Sequence, residues 1–339
     1  MMKLLFTGDW HLRGNNTRNR IDDYPTAAAE KLQEVFSLAK STGASFILMP
    51  GDVWDRPEVS IAVLLSYADL LRTSPVPIYA TIGNHDIYGY NVSSYSRSSL
   101  KLLEMLVEQF HVISDSGIAV NLSKEAGIGG PYPVYLTATP YSRLMDIDGY
   151  GYSPDVNLGD GVISIHMAHG MLLDHKPPFD RYSDLYKVPS TADIVLTGHD
   201  HLGYGVYTRA DGVMFCNPGS LLRMSASVNE IERPVQVALI EIATASGLCN
   251  PTTRKITLVP LECAKPGDEV LDRSTIEEAK ERQYAMEAFS TLIQTHTGGK
   301  VLLDVNQIIE TIAAEEHIAP DVVQAALAVI DQQREAVSV

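Results

Sequence analysis

In "GDVWD", residues 51–55, two aspartates, Asp52 and Asp55, follow directly on the apolar run "SFILMP". A carboxylate lifted to the end of a buried strand must be hydrated, paired or bound to a cation. Taken alone, Gly-Asp after a strand is ordinary turn chemistry. Four similar stretches accompany it. "GDWH" carries Asp9 and His11, "GNHD" carries Asn84, His85 and Asp86, "IHMAHG" carries His169 near its end, and "GHDH" carries His199 and His201. Each follows a strand-like segment, and none contains cysteine.

Imidazole and carboxylate without thiolate suit Mn, Fe or Zn at a catalytic site rather than structural zinc. Seven side chains are candidate ligands: Asp9, His11, Asp52, Asn84, His169, His199 and His201. Seven is too many for one open catalytic ion and suits two, with one carboxylate bridging. Two ions roughly 3.5–4 Å apart can hold a phosphate between them and stabilise the attacking and leaving oxygens of an in-line displacement. Glycine precedes Asp9, Asp52, Asn84 and His199, which permits tight turns and close backbone approach.

The elements that must position these residues are legible over the first 200 residues. Strand-like "KLLFTG", "SFILMP" and "PIYATIG" alternate with helical patterns in 25–43, 59–74 and 98–110. Short strands follow in "HVIS", "IAVNL" and "VYLTATP", and then "GVISIHMAHG" and "DIVLTGHDH" run directly into histidines. Such alternation predicts α/β layering, and ligand sites in α/β sheets lie beyond the carboxyl ends of strands. After residue 200 the pattern turns to strands, which points to two facing sheets with helices outside. From residue 266 the chain becomes helical. Ser274 and Glu277 have capping-box spacing, and Pro320 stands at a first helical position. Domains are therefore expected at 1–265 and 266–339, the second a small helical appendage.

Composition bounds the reading. The 339 residues carry a net charge of −16, the wrong sign for a protein that grips phosphates over its whole surface. Residues 266–339 hold 14 Asp and Glu against 5 Lys and Arg, and the preceding 265 hold 28 against 21. Most of the excess thus lies in the appendage. No apolar run is long enough for a membrane span, and the N-terminus makes a poor signal peptide. Three cysteines without C-x-x-C spacing fit neither a disulfide framework nor a zinc knuckle. A cytoplasmic location is expected.

The five motifs in this order resemble the calcineurin-like metallophosphoesterases, a match spanning residues 9 to 201. The resemblance implies a β-sandwich of two mixed sheets flanked by helices and a two-metal phosphoesterase. It implies Asp9, His11 and His201 on one ion, Asn84, His169 and His199 on the other, and Asp52 bridging. Mn is the expected metal, with Fe, Zn or Mg as alternatives. His85 would face the scissile phosphate as a non-ligand, protonating the leaving oxygen or stabilising the transition state, and Asp86 is expected to orient it.

Trp54 in "GDVWD" and "FCNPGSLLRMS" after "GHDH" look like the SbcD-type nuclease subunits of SMC-like DNA-repair complexes. That finer resemblance implies a DNA substrate, an SbcC-like ATPase partner gripped by the C-terminal helices, and a homodimer as a further expectation. A stand-alone metallophosphatase or small-nucleotide phosphodiesterase is the alternative. The chain leaves no room for a large DNA-capping domain before the helices.

Other residues weigh less. Arg223 and Tyr88 are candidate substrate contacts, Tyr88 by stacking an unpaired base. Arg13, Arg18 and Arg20 read equally well as phosphate contacts and as solvated loop charges. His166 reads as a core histidine, and the Gly- and Tyr-containing segment 142–161 has the composition of a flap.

Overall fold

The structure is a computed structural model, and it describes residues 1–130, 132–243, 253–274, 284–286, 309, 313 and 318–337. The chain begins with β1 (Met2–Phe6), α1 (Tyr24–Thr42), β2 (Phe46–Met49), α2 (Ile61–Leu71) and β3 (Ile78–Thr81), followed by α3 (Ser99–Leu106) and β4 (Phe110–Ile113). It continues through β5 (Ala119–Asn121), the short α4 (Leu122–Glu125), β6 (Val134–Thr139), β7 (Ile163–Gly170), β8 (Leu172–Leu173), β9 (Ser183–Asp184) and β10 (Ile194–His199). Then come β11 (Gly205–Thr208), β12 (Met214–Asn217), α5 (Val228–Glu232), β13 (Gln236–Ala243), β14 (Thr253–Pro260) and α6 (Gly267–Val270). Met1–Leu271 form one compact unit and Asp272–Val339 another. The division falls six residues beyond the composition change at 266, because Ile21 donates to the Val270 carbonyl and Arg20 bridges Leu271.

Two six-stranded sheets make the frame, in the orders β14-β13-β1-β2-β3-β4 and β11-β12-β10-β7-β6-β5. Strands β1 to β4 are parallel to one another, as are β6, β7, β10 and β12, and antiparallel strands complete both sheets. Period-two alternation divides the core. Leu4, Phe6 and Leu48 pack with Leu136, Ile165, Met167 and Leu196 in one cluster. Their sequence neighbours Leu5, Ile47 and Met49 join a second cluster with the apolar faces of α1 to α3. Strands covered on both faces read as continuous apolar runs, as "FILM" and "IYAT" do.

The helices start and stop where their caps dictate. Asp23 accepts from the Thr26 amide at the start of α1, and Gly43, with φ +70°, closes it. Ser60 and Ser98 cap α2 and α3 in the same way. The helical pattern read to residue 110 ends at Leu106: Val107 is extended (φ −122°), and Phe110 is taken up by β4 in register with Ile78.

Segment 142–161 is more anchored than a flap. Met145 and Tyr152 are fully buried, and the Asp146 carboxylate accepts from the Met171 amide and from the Tyr152 and Ser183 hydroxyls.

In the second unit, the helix Pro320–Val337 packs Val323, Ala326 and Leu327 against Ile309 and Ala313. Glu277 of the capping box lies outside the described residues. Among the described residues, no helix is long and apolar enough to cross a membrane.

Candidate metal centre

All seven candidate ligands sit at or just past the carboxyl ends of five strands. Asp9 and His11 follow β1, Asp52 follows β2, and Asn84 follows β3, all from one sheet. His169 lies at the end of β7 and His199 at the end of β10, adjacent strands of the other sheet, and His201 follows β10. Three of these residues hold left-handed backbone: His11 (φ +46°), Asp52 (φ +54°) and His199 (φ +77°). Each such non-glycine conformation costs about 1–3 kcal/mol and persists only where its surroundings over-determine it. Here the Trp10 and His11 amides both donate to the Asp52 carbonyl, at 3.1 and 2.9 Å. The His199 amide donates to Asp9 Oδ2 at 2.9 Å.

The side chains converge. Asp9, His11 and His201 present ligand atoms within 4.8 Å of one another, and so do Asp52, His169 and His199. Asn84 joins the second group, its Oδ1 lying 3.0 Å from His169 Nε2. Asp52 Oδ2 stands between the groups, 3.5 Å from His11 Nε2 and 3.2 Å from His169 Nε2. Nε2 of His11 and of His201 are only 2.9 Å apart, so either one ring donates a hydrogen to the other or both lone pairs face a shared cation. Asp52 Oδ2 and Asp9 Oδ1 are buried with no hydrogen-bond partner, an arrangement that costs free energy unless a cation satisfies it. Nitrogen and carboxylate ligands bind divalent cations at about 2.0–2.2 Å, which separations of this size allow. The donor set fits two divalent cations sharing Asp52.

The electrostatics agree. Burial raises the Asp9 carboxyl to about 7; His169 opposes the rise and the Asp52 charge adds to it. Burial works against a charged His169, yet Asp52 and Asp9 outweigh it and raise the imidazole to about 9. Asp52 is likewise penalised by burial, but His169 and His11 reverse this and hold its carboxyl well below the ordinary range. Burial lowers His199 to about 3 and His201 to about 4, so both are neutral ligands at pH 7.

A cation must displace the protons that Asp9 and His169 hold, since ligands bind deprotonated. Both metal-free values are raised, so affinity is expected to climb with pH and flatten above about pH 9, where His169 has already lost its proton. The expected slope is about tenfold per pH unit for each proton displaced. Manganese titrations by calorimetry between pH 6 and 9 check this, and a pH-independent affinity contradicts it.

Contacts outside the seven orient them. The Pro50 carbonyl lies 3.1 Å from His169 Nδ1; a carbonyl only accepts, so Nδ1 keeps its hydrogen and Nε2 becomes the ligating atom once a cation displaces its proton. Tyr24 donates to the His11 carbonyl, and the Tyr141 ring lies 6.0 Å from that of His169 and 5.7 Å from that of His199. None of these is singled out by the sequence: an orienting carbonyl has no residue-type signature, and Tyr24 and Tyr141 lie outside the five motifs.

His85 is exposed, and its ring meets His11 edge-on at 4.9 Å. Its amide donates to Asp52 Oδ1 at 2.8 Å, and its Nδ1 lies 2.9 Å from the Asp55 carbonyl. The group that orients His85 is therefore the Asp55 carbonyl and not Asp86. The buried Asp86 carboxylate accepts instead from the backbone amides of Val53, Trp54 and Gly83. It ties the Asp52 loop to the Asn84 loop, a positioning role in place of the expected one.

Of the two substrate candidates, Arg223 is corrected as well. Arg223 is buried, and its three guanidinium nitrogens donate to the carbonyls of Glu230, Lys265 and Arg233. Tyr88 donates to Glu58 and carries Arg97 over its ring, so the face offered to a base is already covered on one side. Arg20 is a buried partner of Asp22 rather than a solvated loop charge. Arg13 pairs with Asp55 at 3.0 Å and, with Arg56, lines a groove of about 300 Å³. His166 is buried inside β7, its ring between the Thr137 and Thr139 hydroxyls.

Two glycines hold the centre open. A Cβ on Gly83 would fall 2.1 Å from Asp52 Oδ1, and one on Gly198 would fall 2.2 Å from Asp9 Oδ1. Gly83→Ala is expected to weaken manganese binding at least about tenfold, as disturbed positioning of ligands does. An unchanged affinity by calorimetry would show that the Asp52 position is not critical.

The profile of a family described as calcineurin-like phosphoesterase matches residues 2–203. No curated protein matches the chain. Similar solved structures include TT1561 of Thermus thermophilus, at 13% identity over 70% of this chain and 93% of that one, with a TM-score of 0.40. A dimetal phosphatase from Danio rerio is 13% identical over 76% of this chain and 98% of that one, with a TM-score of 0.42. Yfce, a phosphoesterase from E. coli, is 15% identical over 71% and 88%, with a TM-score of 0.33.

Proposed function

The chain belongs to the calcineurin-like phosphoesterase family, and from that premise we propose that it is a DNA phosphodiesterase of the SbcD type. The observation that carries the phosphoesterase reading is the partnerless Asp52 Oδ2 between His11 and His169, with His85 beside it. Asp9, His11 and His201 would hold one divalent cation, Asn84, His169 and His199 another, and Asp52 would belong to both. When bound, such a pair supplies Lewis-acid activation of water and of phosphoryl oxygens. Manganese is our assignment for both.

The chain's own residues do the rest. The Asp55 carbonyl fixes the hydrogen of His85 on Nδ1, so Nε2 is the atom that exchanges a proton with the leaving oxygen. Asp52 Oδ1 holds the His85 amide, which ties the proton donor to the ligand loop. "NPGS" braces the same centre: the Ser220 amide donates to the His201 carbonyl and the Leu221 amide to the Asp9 carbonyl.

The DNA assignment rests on the resemblance of "GDVWD" and "NPGSLLRMS" to that nuclease group. An SbcC-like ATPase is the proposed partner of the C-terminal helices, with self-association as a homodimer and a cytoplasmic setting. The net charge of −16 favours a second reading, a phosphoesterase for small phosphate esters. Manganese-dependent digestion of single- and double-stranded DNA, alongside nitrophenyl esters and cyclic nucleotides, tests the choice. Cleavage of DNA is expected, and turnover of the small esters alone would overturn the nuclease reading.

A further inference from the structure

Among the described residues, one buried cation outside the metal centre lacks a partner. Lys31, on α1, is 4% exposed, and no hydrogen bond or ion pair joins its ammonium to another described residue. It lines a cavity of about 110 Å³ whose other cations are Arg20, Arg223 and Lys265. The carboxylates at this cavity are engaged elsewhere or point to water. Asp22 pairs with Arg20, Asp23 caps α1 at the Thr26 amide, and Glu30 is exposed. Arg223 spends its three nitrogens on carbonyls. The Lys31 side chain is buried but its ammonium is not sealed from solvent: it opens onto the water of this cavity, where an anion could join it as the counter-charge that a largely desolvated cation lacks.

We propose that this cavity is a binding site for a small tetrahedral oxyanion, phosphate or a terminal phosphate group, with Lys31 as its principal contact. The enclosed space would hold several waters and suits one such group. Burial, reinforced by Arg20, Arg223 and Arg233, lowers the Lys31 ammonium to about 7, and a bound anion would restore its charge. None of the candidate metal ligands lines this cavity; Tyr24 touches both sides, its ring 4.9 Å from the Arg20 guanidinium and its hydroxyl donating to the His11 carbonyl at 3.0 Å. The site is therefore additional to the phosphate-processing centre and does not depend on the function proposed for that centre.

The test is calorimetric titration of the manganese-loaded full chain with inorganic phosphate, in the wild type, Lys31→Met and Lys31→Arg. The metal centre contributes equally to all three, so the difference isolates the cavity. Two classes of phosphate site are expected in the wild type. Lys31→Met, close in shape and uncharged, should lose one class or weaken it tenfold or more while keeping its manganese content, and Lys31→Arg should keep both. A parallel titration with a nucleoside monophosphate separates the sources: competition at the Lys31-dependent class identifies a terminal phosphate group, and its absence identifies free phosphate. Identical phosphate isotherms for wild type and Lys31→Met would overturn the proposal and leave water as the occupant.

Discussion

Asp52→Ala is expected to release at least one cation per chain and to lower phosphodiester turnover about a thousandfold or more, because activation of water and charge stabilisation at the phosphoryl group fail together. Asp52 approaches the Nε2 atom of a histidine in each group, at 3.5 Å from His11 and 3.2 Å from His169. In the proposed assignment every other ligand serves one ion, so its loss should leave the second in place. Asp52→Asn sharpens the test. The amide oxygen can still accept from the His85 amide, as Asp52 Oδ1 does, while an NH2 group would occupy the position of Oδ2 and oppose a cation. The Asp52→Asn variant should therefore fold normally and still lose metal. Full occupancy by elemental analysis in either variant contradicts a shared ligand.

His85→Ala should behave differently: two ions retained, with turnover of DNA lowered about a hundred- to ten-thousandfold, the range of a positioned general acid. The exposed ring is anchored by a backbone carbonyl at Nδ1, and its Nε2 is the atom left to donate. A leaving group that needs no proton gives the discriminating comparison. Hydrolysis of a bis-nitrophenyl ester should fall far less than hydrolysis of DNA. His85 also lies near enough to His11 and Asp52 for all three to present ligand atoms within 4.8 Å. Loss of an ion from His85→Ala, or equal losses on both substrates, would make it a ligand instead.

The contrast between these two residues shows what the sequence carries. The seven ligand candidates were legible because each stands beyond an apolar, strand-like run, and parallel strands bring their carboxyl ends to one edge of the sheets. Asp86 and Arg223 were misread because residue type does not reveal which way a side chain leaves a turn. Asp86 follows Asn84 and His85 yet runs inward to three backbone amides. Arg223 follows "NPGSLL" yet turns into the carbonyls of α5 and its neighbours. The orienting groups, the Pro50 and Asp55 carbonyls, belong to the backbone, and any residue could have supplied them. The left-handed turns at His11, Asp52 and His199 were equally hidden, since glycine is the residue that normally announces such a conformation. Lys31 escaped notice because an isolated lysine in a helical pattern reads as a solvated face.

Anomalous diffraction from a manganese-soaked crystal tests the two-cation centre most directly. Two peaks about 3.5–4 Å apart, one on each side of Asp52 Oδ2, are the predicted result. A single peak, or peaks bound away from Asp52, would contradict it.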